Sequence, residues 1–411
     1  VRPVIKVAVI VLALLFLAGC WDYQEPDQTA WVTAIGVDRG RENLVTVTLQ
    51  VAVAAQVAGG EAGAAGSPGE TTVVVSMEAP SIPSAVELAH AWVSRRVDLS
   101  HARVVIFGRE LAETDFERFL MLLTRDRFFR PSTKVLVANG RAETLLRQGD
   151  PVLEISPALY WTQQTGAWDV AEFIPRDGFG PIIVDTKSPG AAALAILAGP
   201  EREEDSPPDP AYKPEGSHVG GTVPRRGGAK IDIMGGAVIS GGRVVGVLNG
   251  DETGIVKMVR GDFRQTTKTV EDPLHPGYFI VVEVVLREPP RVDVRIDDDG
   301  TPRAAVRIML EGDIHSIQSG EHYERPERVP IVERAVEESF RSDARAALDK
   351  AQHEFGADVF GIGYHAKRLF PTWPAWEEFA WDEKFPDAEI SIDFDFRVRR
   401  IGLMRETVPL R

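Results

Sequence analysis

The residue best placed to do chemistry is Cys20, the single cysteine in 411 residues. A lone thiol forms no disulfide within its own chain. Cys20 closes a run of 13 apolar or small residues, Val7 to Gly19, that follows Arg2 and Lys6. A thiol in that position can be alkylated to a thioether that carries diacylglycerol. Every other spacing that could carry chemistry fails on a specific requirement. Gly361-x-Gly363-x-x-Ala366 has the rhythm of a dinucleotide loop, which needs a strand before it and a helix after it. Here it follows a long helical pattern, so Gly356 and Gly361 read as helix-end residues. His353-Glu354 begins like a zinc-protease motif, but position 357 is Ala, and the second ligand on that helical face is missing. The histidines at 90, 101, 218, 275, 315, 322, 353 and 365 do not cluster at ligand spacing. Asp297–Asp299 lacks the later Glu of a calcium loop and reads as a hairpin turn. The carboxylate pairs Glu337-Glu338, Glu377-Glu378 and Asp393 with Asp395 read as solvated faces. Trp373, Trp376 and Trp381 read as a satellite core beneath a loop, with a partner-binding patch as the alternative. These readings predict no catalytic residue, no metal and no cofactor.

The apolar run is too short to span a bilayer, which takes about 20 residues. Its length and its two leading cations fit a signal-peptide core. Leu17-Ala18-Gly19-Cys20 matches the bacterial lipobox: an apolar residue, two small ones, then Cys. Cleavage is therefore expected between Gly19 and Cys20, with lipidation of Cys20. A diacylglycerol thioether brings two acyl chains, enough for stable anchoring. The formal charge of the whole chain is −15. That argues against nucleic acid and against electrostatic adhesion to anionic lipid. Membrane attachment then requires an apolar anchor.

The elements that would follow such an anchor are mixed. Ala30–Asp38 and Leu44–Ala54 read as a β-hairpin around Gly40. Strand and helix patterns then alternate through Arg103–Gly108, Ala112–Arg127 and Lys134–Ala138, which argues for helices laid on a sheet. Residues 55–70 and 200–229 are rich in Gly, Ala or Pro and read as loops. Beyond them come short strands, a helix over Asp251–Val259, more strands, a long amphipathic helix over Glu327–Phe355 and a closing strand, Ala388–Val398. The fold class expected is mixed α/β (α+β), in two to three domains, each a mostly antiparallel or mixed sheet packed with helices. The expected organisation is a signal peptide at 1–19, an N-terminal α/β region at 20–199, a linker or long loop at 200–229 and a C-terminal α/β domain at 230–411. Within the first region, 71–180 can stand as a separate domain, and 30–54 can pair with 190–248.

In order, these segments resemble the Ger(x)C family of spore germination lipoproteins. The likeness rests on Gly19-Cys20-Trp21-Asp22 with Ala34-Ile35-Gly36-Val37-Asp38, and on Leu99 to Phe107 with Glu110-Leu111-Ala112 and Arg125 to Arg130. It continues through Leu248 to Glu252-Thr253-Gly254, then Ala357 to Gly361 with Trp376, Trp381 and Phe385, and a final strand near Gly402. The resemblance implies the C subunit of a nutrient germinant receptor: non-enzymatic, lipid-anchored on the outer face of the spore inner membrane, and partnered by integral-membrane A and B subunits. It implies no nucleic acid, no metal and no identified ligand-contact residue. The reading from a different class is an exported solute-binding lipoprotein.

Overall fold

The computed structural model describes Pro3 and residues 28–53, 71–125, 129–149, 153, 154, 156–166, 171–176, 178–201 and 214–401. Apart from Pro3, the signal segment lies outside the described residues, as do Cys20 and the 55–70 loop. Strands β1 (Thr29–Arg39) and β2 (Val45–Ala52) form the expected hairpin. Its turn is clipped by Glu78, whose carboxylate accepts from the backbone N–H groups of Arg41, Glu42 and Asn43. Glu78 lies on β3 (Thr72–Ala79), which pairs with β2.

Helix α1 (Ile82–Ala89) follows, capped by Ser81. Then come β4 (Arg96–Asp98), β5 (Val104–Gly108), α2 (Arg109–Leu123), β6 (Lys134–Ala138), α3 (Ala142–Gln148), α4 (Pro157–Gly166), α5 (Phe179–Lys187) and β7 (Ala193–Pro200). Two strands from beyond residue 229, β8 (Ile231–Ser240) and β9 (Arg243–Leu248), complete the first sheet. Its order is β3-β2-β1-β5-β6-β7-β8-β9, with β4 pairing β1. The hairpin at 30–54 and the strands between 190 and 248 thus share one sheet, with β5 and β6 between them. The central strands are parallel and covered on both faces. That is why β5 reads Val-Val-Ile-Phe without alternation. Val105 and Phe107 pack toward α1, α2 and α5, while Val104 and Ile106 pack toward α3 and α4.

The second sheet contains β10 (Gln265–Glu271), β11 (Phe279–Leu286), β12 (Arg291–Ile296), β13 (Pro302–Ile317) and β14 (Glu389–Arg400). β11 and β12 meet the same edge of β13 in succession, and β14 runs parallel along the other edge. The Pro289-Pro290 pair interrupts what would otherwise be one long strand. Asp298-Asp299-Gly300 is the hairpin turn into β13, with Gly300 at φ 83°. The described residues therefore form an α+β fold of two sheets packed with helices. Residues 214–229 run as a loop bonded into the body: Gly220 donates to Met234 O and Asn139 donates to Gly220 O.

Helix α7 (Val329–Asp349) lies across the second sheet and continues into a π turn at Lys350–Glu354. One carboxylate on this helix, Glu337, differs from its solvated reading. Glu337 and Glu333 point at the open edge of β14 and accept from the N–H groups of Phe396 and Val398. An edge strand offers unpaired donors, and these two side chains satisfy them.

Candidate functional site at the junction of the two sheets

Helix α6 (Gly250–Arg260) lies between the sheets, packed on β8 and β9 on one side and on α7 and β13 on the other. Every residue from Gly250 to Val259 is buried. Asn249 and Glu252 close a capping box at its start, and Gly261 ends it at φ 77°, where a left-handed residue favours glycine. Ile255, Val256, Met258 and Val259 join a core that runs from Leu194 and Val238 of the first sheet to Val306 and Phe396 of the second.

The same helix buries Asp251, Glu252, Thr253 and Lys257. Buried charge needs partners, and here they come from other elements. Lys268 of β10, 2% exposed, donates to Asp251 at 2.6 Å and to Asp343 of α7 at 2.7 Å. Burial alone would favour its neutral form, but Asp251, Asp343 and Glu172 outweigh that and raise its pKa. Lys350 pairs with Glu252 at 2.7 Å. Lys257 donates to the carbonyls of Ala171 and Ile174, at 3.0 and 2.9 Å, tying α6 to the segment before α5. Asp343 is raised to about 6, chiefly by burial and against the pull of Lys268.

Glu172 completes this group. Its pKa is raised from 4.5 to about 8, mainly by burial, with Lys268 opposing and Asp251 adding to the shift. A Cβ on Gly254 would lie 2.7 Å from Glu172 Oε2, so the glycine is what lets the carboxyl reach the helix. A carboxyl with a raised pKa stabilises the fold while protonated. That contribution is complete below about 4.5 and is lost as pH rises through 8. Glu172→Gln fixes the neutral form. Its stability should therefore gain on the wild type's between pH 5 and 8.5, by up to about 1.4 kcal/mol per pH unit. Urea unfolding midpoints at the two pH values check this, and parallel profiles would contradict it.

On its other side the junction opens as a cleft of about 610 Å³, lined by Ile182, Asp185, Arg260, Phe360 and Tyr364 among others. Several of its polar groups are paired with one another. Arg260 donates to Asp185 at 3.0 Å and also to Val359 O and Ala192 O, while Tyr364 donates to Asp185 at 2.8 Å. Arg176 pairs with Asp262 at 3.1 Å.

The dinucleotide-like glycines lie beside this cleft. Gly356 and Gly361, at φ 58° and 73°, flank a tight loop rather than a strand-to-helix turn. Gly361 N and Gly363 N both donate to the carboxylate of Asp358, at 2.9 and 2.7 Å. An internal carboxylate thus occupies the position a ligand phosphate would take. Trp381 Nε1 donates to it as well, at 3.1 Å. Trp376 and Trp381 are buried at 2% each, while Trp373 is 45% exposed; the first two are core. Of the other sequence candidates, His353 is exposed and pairs with Asp349. Among the described residues no group of His, Cys, Asp or Glu could hold a metal ion, and no helix is long and apolar enough to cross a membrane. Sequence reasoning missed Lys268, Glu172 and Asp358. Their partners lie 17 to 96 residues away or arise from loop geometry, and no local spacing marks them.

Comparison with known proteins agrees with this architecture. The "spore germination protein N-terminal domain" family matches residues 22–198, and the "spore germination B3/GerAC like, C-terminal" family matches 234–402. Spore germination protein KC of Bacillus subtilis is 22% identical over 99% of this chain and 98% of its own length. Spore germination protein B3 of the same organism is 21% identical over 97% of this chain and 98% of its own. The crystal structure of the GerBC protein superposes with a TM-score of 0.54 at 16% identity, covering 89% of this chain and 96% of that one. The two family matches account for both sheets and for the helix between them, and the chain belongs to the Ger(x)C family of spore germination proteins.

Proposed function

We propose that this protein is the C subunit of a nutrient germinant receptor: non-enzymatic, and anchored by a lipid on Cys20 to the outer face of the spore inner membrane. There it works by contact with the integral-membrane A and B subunits. The observation that carries the reading is the end-to-end alignment with germination proteins, over 97–99% of this chain for KC, YfkR and B3. The lipobox at Leu17–Cys20 supports the anchor, since an acidic chain needs an apolar attachment. The ion pairs of Lys268 with Asp251 and Asp343, and of Lys350 with Glu252, tie the two sheets through α6 and support a protein that transmits contact.

Cys20→Ala should move the protein from the membrane to the soluble fraction and lower the nutrient response of the spores. Deleting the gene should remove at least one nutrient response and leave vegetative growth intact. Full membrane retention and full germination of the Cys20→Ala strain would refute the anchor. Normal germination of the deletion strain with every nutrient would refute the receptor role.

The cleft beside Asp185 favours a second reading, that of a solute-binding lipoprotein. Titration of the full chain with amino acids and sugars separates the two. The receptor reading expects no saturable change in tryptophan fluorescence.

A further inference from the structure

One side of α6 is closed by residues that belong to neither sheet. Residues 171–176 run between α4 and α5 as irregular chain, with Glu172, Ile174 and Pro175 buried. They lie along one stripe of the helix, Gly250, Gly254 and Lys257, whose spacing of four and three residues puts them on one face. A Cβ on Gly250 would lie 2.7 Å from the Phe173 ring, and one on Gly254 the same distance from the Glu172 carboxyl. The two glycines are thus the seat of the segment. Lys257 donates to its carbonyls at Ala171 and Ile174. Gly235 of β8 holds it from the first sheet. At φ 86°, where the register between β7 and β8 shifts, the Gly235 N–H donates to Phe173 O at 2.8 Å. Arg176 pairs with Asp262 just past the helix.

The segment carries into the junction a carboxyl that is costly there as an ion. Glu172 is 2% exposed, and its Oε1 has no hydrogen-bond partner among the described residues. Lys268 of β10, Asp251 of α6 and Asp343 of α7 face it. Lys257 of α6 is turned to the carbonyls of the segment itself, and Glu252 is paired with Lys350 of the π turn. Lys268 is already shared by Asp251 and Asp343. Ionised in place, Glu172 would be a third carboxylate around one ammonium, with one oxygen unbonded and water excluded. Burying such a charge is costly, and carrying it into water relieves the cost. The local route is the easy one, because no strand ladder holds these residues, whereas the sheets on either side open only with their ladders.

We infer that residues 171–176 are a proton-controlled strap on the helix between the sheets, closed while the Glu172 carboxyl keeps its proton and lifted when that proton passes to water. Lifting uncovers Gly250 and Gly254 and takes two carbonyls from Lys257. Proton concentration thereby sets how firmly α6, and with it the junction of the two sheets, is held. Amide exchange of the full chain tests this, in the regime where closing outruns exchange and with each rate corrected for the free-peptide rate at that pH. Gly235 reports the strap, and Ala237, buried in the middle of the same strand, reports global unfolding. From pH 5 to 8 the protection of Gly235 should fall about tenfold per pH unit and stay at least about tenfold below that of Ala237. In Glu172→Gln, which cannot ionise, it should change less than about threefold over the same range. Gly254→Ala crowds the carboxyl off its seat, and at pH 5 it should lower the protection of Gly235 about tenfold more than that of Ala237. Gly235 protected as well as Ala237 at every pH, a level wild-type profile from pH 5 to 8, a slope that survives in Glu172→Gln, or an equal effect of Gly254→Ala on both amides overturns the inference.

Discussion

Lys268→Met should destabilise the protein by about 3–5 kcal/mol, the cost of breaking a buried ion pair by removing one partner. The lysine is 2% exposed and is held by carboxylates from two helices, Asp251 of α6 and Asp343 of α7. Without it, Asp251 and Asp343 face one another and Glu172 with no cation bonded between them. Methionine fills much of the volume and keeps the contact with Phe340, over whose ring Lys268 Nζ lies at 5.4 Å. The loss is therefore electrostatic rather than a cavity effect. It should be smaller at pH 5 than at pH 8, because the stranded carboxyls can take up protons at the lower value. Denaturant titration at both pH values gives the answer. A loss below about 1 kcal/mol, the same at both, would show that the lysine is not the keystone of this junction. Lys268 bonds β10 to α6 and α7, so the variant should also loosen α6 in hydrogen exchange before the first sheet responds.

Asp358→Ala should cost about as much, roughly 3–5 kcal/mol, because leaving a buried donor without its acceptor costs about 1–3 kcal/mol. Three donors depend on this carboxylate: Gly361 N, Gly363 N and Trp381 Nε1. Asp358 is 3% exposed, which makes rescue by bulk water poor. Its backbone carbonyl also accepts from Ala192 N, next to the place where Gly190 and Gly363 touch. A Cβ on Gly363 would lie 2.1 Å from Gly190 O, so the loop is moulded to the start of β7. Asp358→Asn should fall between wild type and alanine, since an amide offers one oxygen where the carboxylate offers two. Thermal unfolding followed by tryptophan fluorescence ranks the three. Asparagine as damaging as alanine would show that the charge, rather than acceptor geometry, holds the loop. Burial raises the Asp358 pKa to about 6, against the donors and the nearby Arg260. The wild type should therefore lose stability relative to Asp358→Asn as pH rises from about 4 through 6.

The two residues differ in what the sequence could reveal about them. Asp358 precedes a legible pattern, the glycines at 361 and 363. The rule that a dinucleotide loop needs a strand before it argued for reading Gly356 and Gly361 as helix-end residues, and both have positive φ. The rule could not supply the aspartate, because the loop's φ values decide which N–H groups converge. Lys268 carries no local mark at all. On β10 it alternates with exposed Thr267 and half-buried Thr269 as in any half-buried strand, and only the packing of α6 and α7 against that strand turns it inward to charge. Glu337 departs from its solvated reading for a similar reason. Helical periodicity places it away from the apolar stripe, but β14 ends beside that flank and its open N–H groups take the carboxylate.

What the sequence determined by itself is whatever depends on neighbours within a few turns: the hairpin at β1 and β2, the strand β5, the short helix over Asp251–Val259 and the amphipathic helix that became α7. The ordered blocks were enough to place the chain among the Ger(x)C proteins. Tertiary structure decided how the pieces close on one another: that β8 and β9 return to the first sheet, and that α6 is buried between the sheets with its charges satisfied by β10, by α7 and its π turn, and by the segment before α5. The physical reason is range. Turn chemistry and periodicity act within a few residues, whereas a buried charge is stabilised by whichever partner the topology brings to it, and those partners lie tens of residues away along the chain.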